Sequence, residues 1–211
     1  ILGLVFKNLG EHLTAIEKFE RAASICSQIG DKREEGIHSG NLGLSFHHTG
    51  QLELAVQWTR RALRSLREHG DLHAEGRLLG NLGLFLQQQG EYEEALEHYA
   101  QATAIGEQIG DLHSAIIHKG NMGGAYKCMG QIERALEYTQ QAVDSAKLAN
   151  DKRFEGIHLG NLGDLYYLLG QLEMSERCLR ESISICSGMV NDAANSFRGS
   201  LALVLAHRGQ M

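Results

Sequence analysis

Eleven histidines, four cysteines and twenty-six acidic residues could supply metal ligands or acid–base groups, but their spacing argues against both. Cys26, Cys128, Cys178 and Cys186 form no C-x-x-C pair, the arrangement that presents two thiolates to one metal. They read as reduced cysteines acting as small core filler, which fits a cytoplasmic compartment. His38, His118 and His158 share one column of a regular pattern, with neighbouring members at least a full period apart. That column is expected to pack between helices with a hydrogen bond. His47 and His48 are adjacent and point to different faces, while His69 and His73 straddle Gly70. No G-x-x-x-x-G-K-[ST] loop is present to cradle a phosphate. No Ser/His/Asp set is suggested, and no pair of acids stands out from the solvated faces. The expectation is a protein without catalytic residues, metal or cofactor. What does recur is an amide: Asn41, Asn81, Asn121 and Asn161. An Asn side chain donates and accepts, so it can bond a peptide backbone whatever the peptide's sequence. It can equally bond its own or a neighbouring helix, and as a poor mid-helix residue it needs one cause or the other.

The elements that carry these residues follow from a period of forty. Gly10, Gly50, Gly90, Gly130 and Gly170 form one column, and Gly3, Gly43, Gly83, Gly123 and Gly163 a second. Gly40, Gly80, Gly120 and Gly160 form a third. Asp31, Asp71, Asp111 and Asp151 recur in the same way, as do Ala15, Ala55, Ala95 and Ala135. Each period reads as two helices. Asp71 is a fit N-cap, with Glu75 favouring the first turn. A helix then runs through Leu78, Leu82 and Leu86 until Gly90 stops it in a left-handed conformation. The second helix carries Tyr92, Ala95, Leu96, Tyr99, Ala102 and Ile105 at spacings of three and four. Linkers of a few residues force neighbours to run antiparallel. Gly inside a helix costs about 1 kcal/mol against Ala, so Gly83 must recover that by letting the paired helix approach, with Ala95 and Ala102 facing it. One such pair buries too little to stand alone, and stability must come from stacking.

The pattern Leu-Gly-x-x-aromatic, then Ala-x-x-x-aromatic, then Ala resembles the tetratricopeptide repeat. It stands as Leu42-Gly43-Phe46-Ala55-Ala62, Leu82-Gly83-Ala95-Tyr99-Ala102 and Met122-Gly123-Tyr126-Ala135-Ala142, with Leu162-Gly163-Tyr166 repeating the first part. The usual Trp is replaced by Ser39, Leu79, Lys119 and Leu159, the closing Pro is absent, and the helices run longer. The forty-residue period and its G-D-x-x-x-E-G linkers are similar to the branch that includes the Partner-of-Inscuteable group of G-protein-signalling modulators and many bacterial regulators. The resemblance implies an all-α fold: a right-handed superhelical solenoid of antiparallel helix pairs. The divisions expected are a partial repeat at 1–30, full repeats at 31–70, 71–110, 111–150 and 151–190, and the first helix of a further repeat at 191–211. After Ser187 the period shortens, so Leu201-Ala202 sits one residue early, and Gly209-Gln210 matches Gly170-Gln171. The last helix is expected to expose an apolar face.

In arrays of this family the first helix of each pair lines a concave groove, and the resemblance carries that role to this chain. The Asn column then faces inward. One turn before it stand Ile37, Arg77, Ile117 and Ile157; beyond it stand Leu44, Leu84, Gly124 and Asp164, then His47, Gln87, Lys127 and Tyr167. Arg77 occupies a slot where the Partner-of-Inscuteable group grips acidic peptides, although it also reads as a solvated surface charge. Because the other three slots are Ile, an apolar ligand, or an extended peptide with one acidic anchor near Arg77 and Lys127, fits best. Trp58 and Tyr138 share a column that reads as packing against the next pair, with a binding hot spot as the alternative.

Net charge is −6 and lysines and arginines cluster only in pairs such as Arg60-Arg61, which speaks against a nucleic-acid partner. No apolar run approaches the roughly 18 residues of a membrane span. The chain opens without Met and reads as a piece of something longer. The expected function is a scaffold that binds a protein or peptide segment in its groove. The alternative is a ligand- or peptide-sensing segment of a larger regulator. End-to-end self-association is a further expectation.

Overall fold

A computed structural model describes residues 2–209. Gln210, half of the Gly209-Gln210 match, lies outside them. Every element among the described residues is an α-helix: α1 (Leu2–Asn8), α2 (His12–Ile29), α3 (Lys32–His48), α4 (Leu52–Arg67), α5 (Leu72–Gln89) and α6 (Tyr92–Ile109) in one compact unit that closes at Ile109. A second unit, from Gly110 onward, holds α7 (Leu112–Cys128), α8 (Ile132–Leu148), α9 (Lys152–Leu168), α10 (Leu172–Cys186) and α11 (Asn191–His207).

Local chemistry places these boundaries. Asp31, Asp71, Asp111 and Asp151 each accept a hydrogen bond from the backbone N–H three residues on, at 3.0–3.1 Å, so the recurring Asp is an N-cap each time. Gly90 ends α5 at φ 88°, a left-handed conformation in which its N–H reaches back to close the last turn. Asn150 takes the same role at φ 54° in the slot held elsewhere by Gly30, Gly70 and Gly110. α11 departs from the pattern: its N-cap is Val190, which offers no side-chain bond.

Within each unit a helix packs chiefly on the helix that follows it, and first helices touch more lightly, α3 with α5, α7 with α9 and α9 with α11. Ala55, Ala95 and Ala135 are fully buried, and they seat the second helix against the bare glycine of the first. A Cβ on Gly83 would lie 3.1 Å from the Ala95 carbonyl oxygen and 2.7 Å from the Tyr99 ring, closer than packed atoms allow. The third glycine column has a different purpose. Leu78 of α5 fills the notch at Gly40, His158 of α9 the notch at Gly120, and Phe197 of α11 the notch at Gly160. First helices in one unit therefore lock onto each other by a large side chain in a glycine socket. Phe197 stands one residue early against His158 plus the period, in keeping with the shortening after Ser187. It packs with Leu179 and Val204 into the core of that end. Leu203, on the other face of α11, is 59% exposed.

Two expectations need correction. His158 packs as expected, but neither ring nitrogen has a hydrogen-bond partner. Cys178 and Cys186 are buried and Cys26 is half-buried, whereas Cys128 is exposed and fills no core.

Candidate partner-binding site

The face of α3 and α5 that carries the Asn column is built from side chains three and four apart, which one face of a helix must share. Ile37, Asn41 and Leu44 come from α3, and Arg77 and Asn81 from α5; with Lys7 of α1 they line a cleft of about 60 Å³. The Asn41 amide is committed at both ends. Its Nδ2 donates to the Ile37 carbonyl at 3.0 Å, and its Oδ1 accepts from Lys7 Nζ at 3.2 Å. Asn81, half-buried in the same cleft, makes no side-chain hydrogen bond among the described residues.

Two cations meet in this cleft. Burial, and then the Arg77 charge beside it, pull the Lys7 ammonium below the ordinary lysine value. Among the described residues neither Lys7 nor Arg77 has a carboxylate within ion-pair distance. Elsewhere in the same unit Arg60, Arg61 and Arg67 are paired with Glu94, Glu35 and Glu75. Lys7 was not singled out from the sequence. The signal was present, since Lys7 is the forty-residue predecessor of His47, Gln87, Lys127 and Tyr167.

In the second unit, Lys127 of α7 and Asn161 of α9 border a cleft of about 150 Å³ with Gly124. Asn121 is half-buried on α7, and Asp164 is half-buried on α9 without an ion pair among the described residues. Leu84 is half-buried on α5.

Three of the singled-out residues are held by bonds within the protein. The His47 ring stacks on Phe85 at 4.6 Å, and its Nε2–H donates to Gln88 Oε1 at 2.9 Å. Gln87 Oε1 accepts from the buried Tyr99 hydroxyl at 3.0 Å. The Tyr167 hydroxyl lies 2.8 Å from His207 Nδ1. Trp58 lies under the Arg61 guanidinium, 5.1 Å from its ring centre, and Tyr138 stacks on Tyr126. No group of three His, Cys, Asp or Glu side chains among the described residues could hold a metal ion, and none of their helices is long and apolar enough to cross a membrane.

Helix pairs with capped starts, left-handed stops, an alanine seated on a glycine and a polar outward face define a repeat protein of the helix-pair class. The chain belongs to the tetratricopeptide repeat family, which it matches over residues 1–68, 74–148 and 114–187. No curated protein sequence matches it significantly. Among solved structures it resembles BtubC (BKLC) from P. vanneervenii, with 18% identity and a TM-score of 0.78 over 92% of this chain and 83% of that one. It also resembles the signal transduction ATPase (STAND) with a tetratricopeptide repeat sensor from Pyrococcus horikoshii. There identity is 20% and the TM-score 0.86, over all of this chain and 33% of the other. Aspartyl phosphate phosphatase F from Bacillus subtilis is similar at 16% identity and a TM-score of 0.79, over 99% of this chain and 60% of that one. At these identities the likeness concerns the fold.

Proposed function

We propose that the chain binds a protein or peptide segment in the groove lined by its first helices, as a scaffold and not as an enzyme. The observation that carries this reading is the pair of unpaired cations, Lys7 and Arg77, in a cleft shared with Asn41 and Asn81. Two like charges with no internal counter-ion call for an acidic group from outside. The Asn81 amide beside them is free to hold the partner's backbone. Asn121, Asn161 and Lys127 offer the same chemistry in the second unit, with Asp164 nearby on α9, and Leu44 and Leu84 add apolar surface to the first unit. His47, Gln87 and Tyr167 shape the surface through their internal bonds.

The G-D-x-x-x-E-G linkers at residues 30–36 and 70–76 support kinship with the Partner-of-Inscuteable branch. With Ile37, Ile117 and Ile157 at the other positions of the repeat that carries Arg77, the ligand fitted is an apolar extended segment carrying one acidic anchor, not a uniformly acidic one. A peptide-display selection on the intact chain tests this. Peptides recovered by the natural protein should be enriched in Asp and Glu, and the enrichment should vanish with Lys7→Glu combined with Arg77→Glu. The same acidic bias from the charge-reversed protein would refute the anchor. Asn81→Ala with Asn121→Ala should weaken the selected peptides about tenfold while leaving melting nearly unchanged. A large drop in melting with unchanged affinity would make the column structural.

A second reading is a sensing segment of a larger regulator, favoured by the likeness in fold, at a TM-score of 0.86, to the signal transduction ATPase with a tetratricopeptide repeat sensor. Self-association through exposed apolar residues such as Leu203 and Met189 is testable by sedimentation over a concentration series.

A further inference from the structure

We infer that the imidazoles of His12, His47 and His48 form a proton-sensitive clasp, which ties the start of α2 to the ends of α3 and α5 near neutral pH and loosens in mild acid. The clasp works whatever the groove binds. Its three rings form one chain of contacts. His12, the first residue of α2, stacks on His48, the last residue of α3, with ring centres 4.6 Å apart and planes 15° from parallel. His48 meets His47 edge-on at 5.6 Å. His47 in turn lies flat on Phe85 at 4.6 Å and donates to Gln88, both on α5. The period shows that these slots do not require imidazoles. Leu52, Tyr92, Ile132 and Leu172 recur in the slot of His12, and Gln88, Cys128 and Leu168 in the slot of His48. No later repeat places a histidine in both.

Neutral imidazoles stack well, but charged ones face to face repel, and nothing here offsets them. The charges that bear on His48 are His12, His47 and Lys7 of α1, all positive when charged. Burial, and then these neighbours, hold the His48 pKa below the ordinary imidazole value of 6.5. From α5 the contact receives only the neutral Phe85 and Gln88. Glu11, Glu53 and Glu91, the acids at the adjoining helix starts, are exposed and form no ion pair among the described residues. The Nδ1 atoms of His12 and His47 are buried without a hydrogen-bond partner. Full protonation would turn each into a buried N–H donor with no acceptor. His48 thus takes up a proton more readily with the clasp open than closed. The contact is at full strength above pH 6.5 and weakens as pH falls below it. Because α1 packs on α2 and carries Lys7, the clasp also steadies the bond from Lys7 to Asn41.

The test uses the full chain, labelled with nitrogen-15. Histidine ring resonances followed from pH 8 to 5 should place the His48 midpoint below 6.5. His12→Leu should move that midpoint up, because it removes a neighbouring charge and keeps the burial; Leu52 and Leu172 fill the same slot, so the variant should fold. Hydrogen exchange, corrected for the intrinsic rate at each pH, reads the contact itself. The amides of Ala15, Thr49 and Gln51 bond the carbonyls of Glu11, Ser45 and Phe46 at 2.9–3.2 Å. Their protection should fall about fivefold from pH 7.5 to 5.5, while protection in the middle of α4 changes by less than about twofold. In the double variant His12→Leu with His48→Gln, the fall at the Ala15, Thr49 and Gln51 amides should disappear. The clasp is overturned by a His48 midpoint at or above 6.5, by a midpoint that His12→Leu leaves unmoved, by protection that does not change with pH in the natural protein, or by an equal loss in the double variant.

Discussion

His158 sits with its ring in the notch at Gly120 and 5.8 Å from the Phe154 ring, only 5% exposed. Burial without a hydrogen-bond partner pushes its pKa down to about 4, against an ordinary value of 6.5. The unfolded chain therefore takes up a proton here between pH 6.5 and 4 that the folded chain refuses. The full stability is present above pH 6.5 and is lost as pH falls toward 4, by up to about 3 kcal/mol. Burial pushes His118 and His38 in the same direction. Glu35 and Asp151 are held below the ordinary carboxylate range, Glu35 by Arg61 and Lys32 and Asp151 by the Phe154 backbone N–H and His113, and their contribution is lost only below that range. Urea unfolding measured from pH 7.5 to 4 should show a falling midpoint in the natural protein. His158→Leu places there the residue that fills the Gly40 notch at 78, and it should flatten much of that fall. An unchanged slope in the variant would mean the ring is already charged or hydrated in the fold.

At the level of the helix, the same glycine substitution should have different consequences at two sites. Alanine in a helix interior gains about 1 kcal/mol over glycine. At Gly40 the added methyl meets the end of Leu78, whose Cδ2 would lie 2.7 Å away and can rotate aside. At Gly160 it meets the Phe197 ring edge-on at three atoms, and a buried ring has nowhere to turn. Gly40→Ala should be neutral within about 1 kcal/mol, and Gly160→Ala should destabilise by about 1–3 kcal/mol, both read from chemical denaturation. Equal effects would show that the sockets are not filled as described. The helices themselves were legible because their signals repeat: Asp111 caps α7 for the reason that Asp71 caps α5, and one reading served for all. The outward face was less legible, since what matters there is where the repeats differ. Nothing in the period says that Gln87 bonds Tyr99 or that Lys7 reaches Asn41. Those depend on side-chain length and rotamer at positions the pattern leaves free.

At the scale of the molecule, contacts within each unit stay local. Within each unit a helix touches those one or two places along, so stability is a sum over neighbours and not the property of one shared core. Damage should then spread only as far as neighbouring pairs carry it. The Gly160→Ala variant separates the two cases, because its strain falls between α9 and α11. Native-state hydrogen exchange under mildly destabilising conditions should show faster exchange of amides in α9, α10 and α11. Amides in α3 and α4 should keep rates within a factor of two. Uniform acceleration across all helices would make the molecule a single cooperative block, and the local-contact account would fail with it. The same logic bears on binding. A partner that touches first helices orders the helix pairs behind them only through nearest neighbours, so protection gained on binding should be greatest at the contacted pairs and fade over one or two helices on either side.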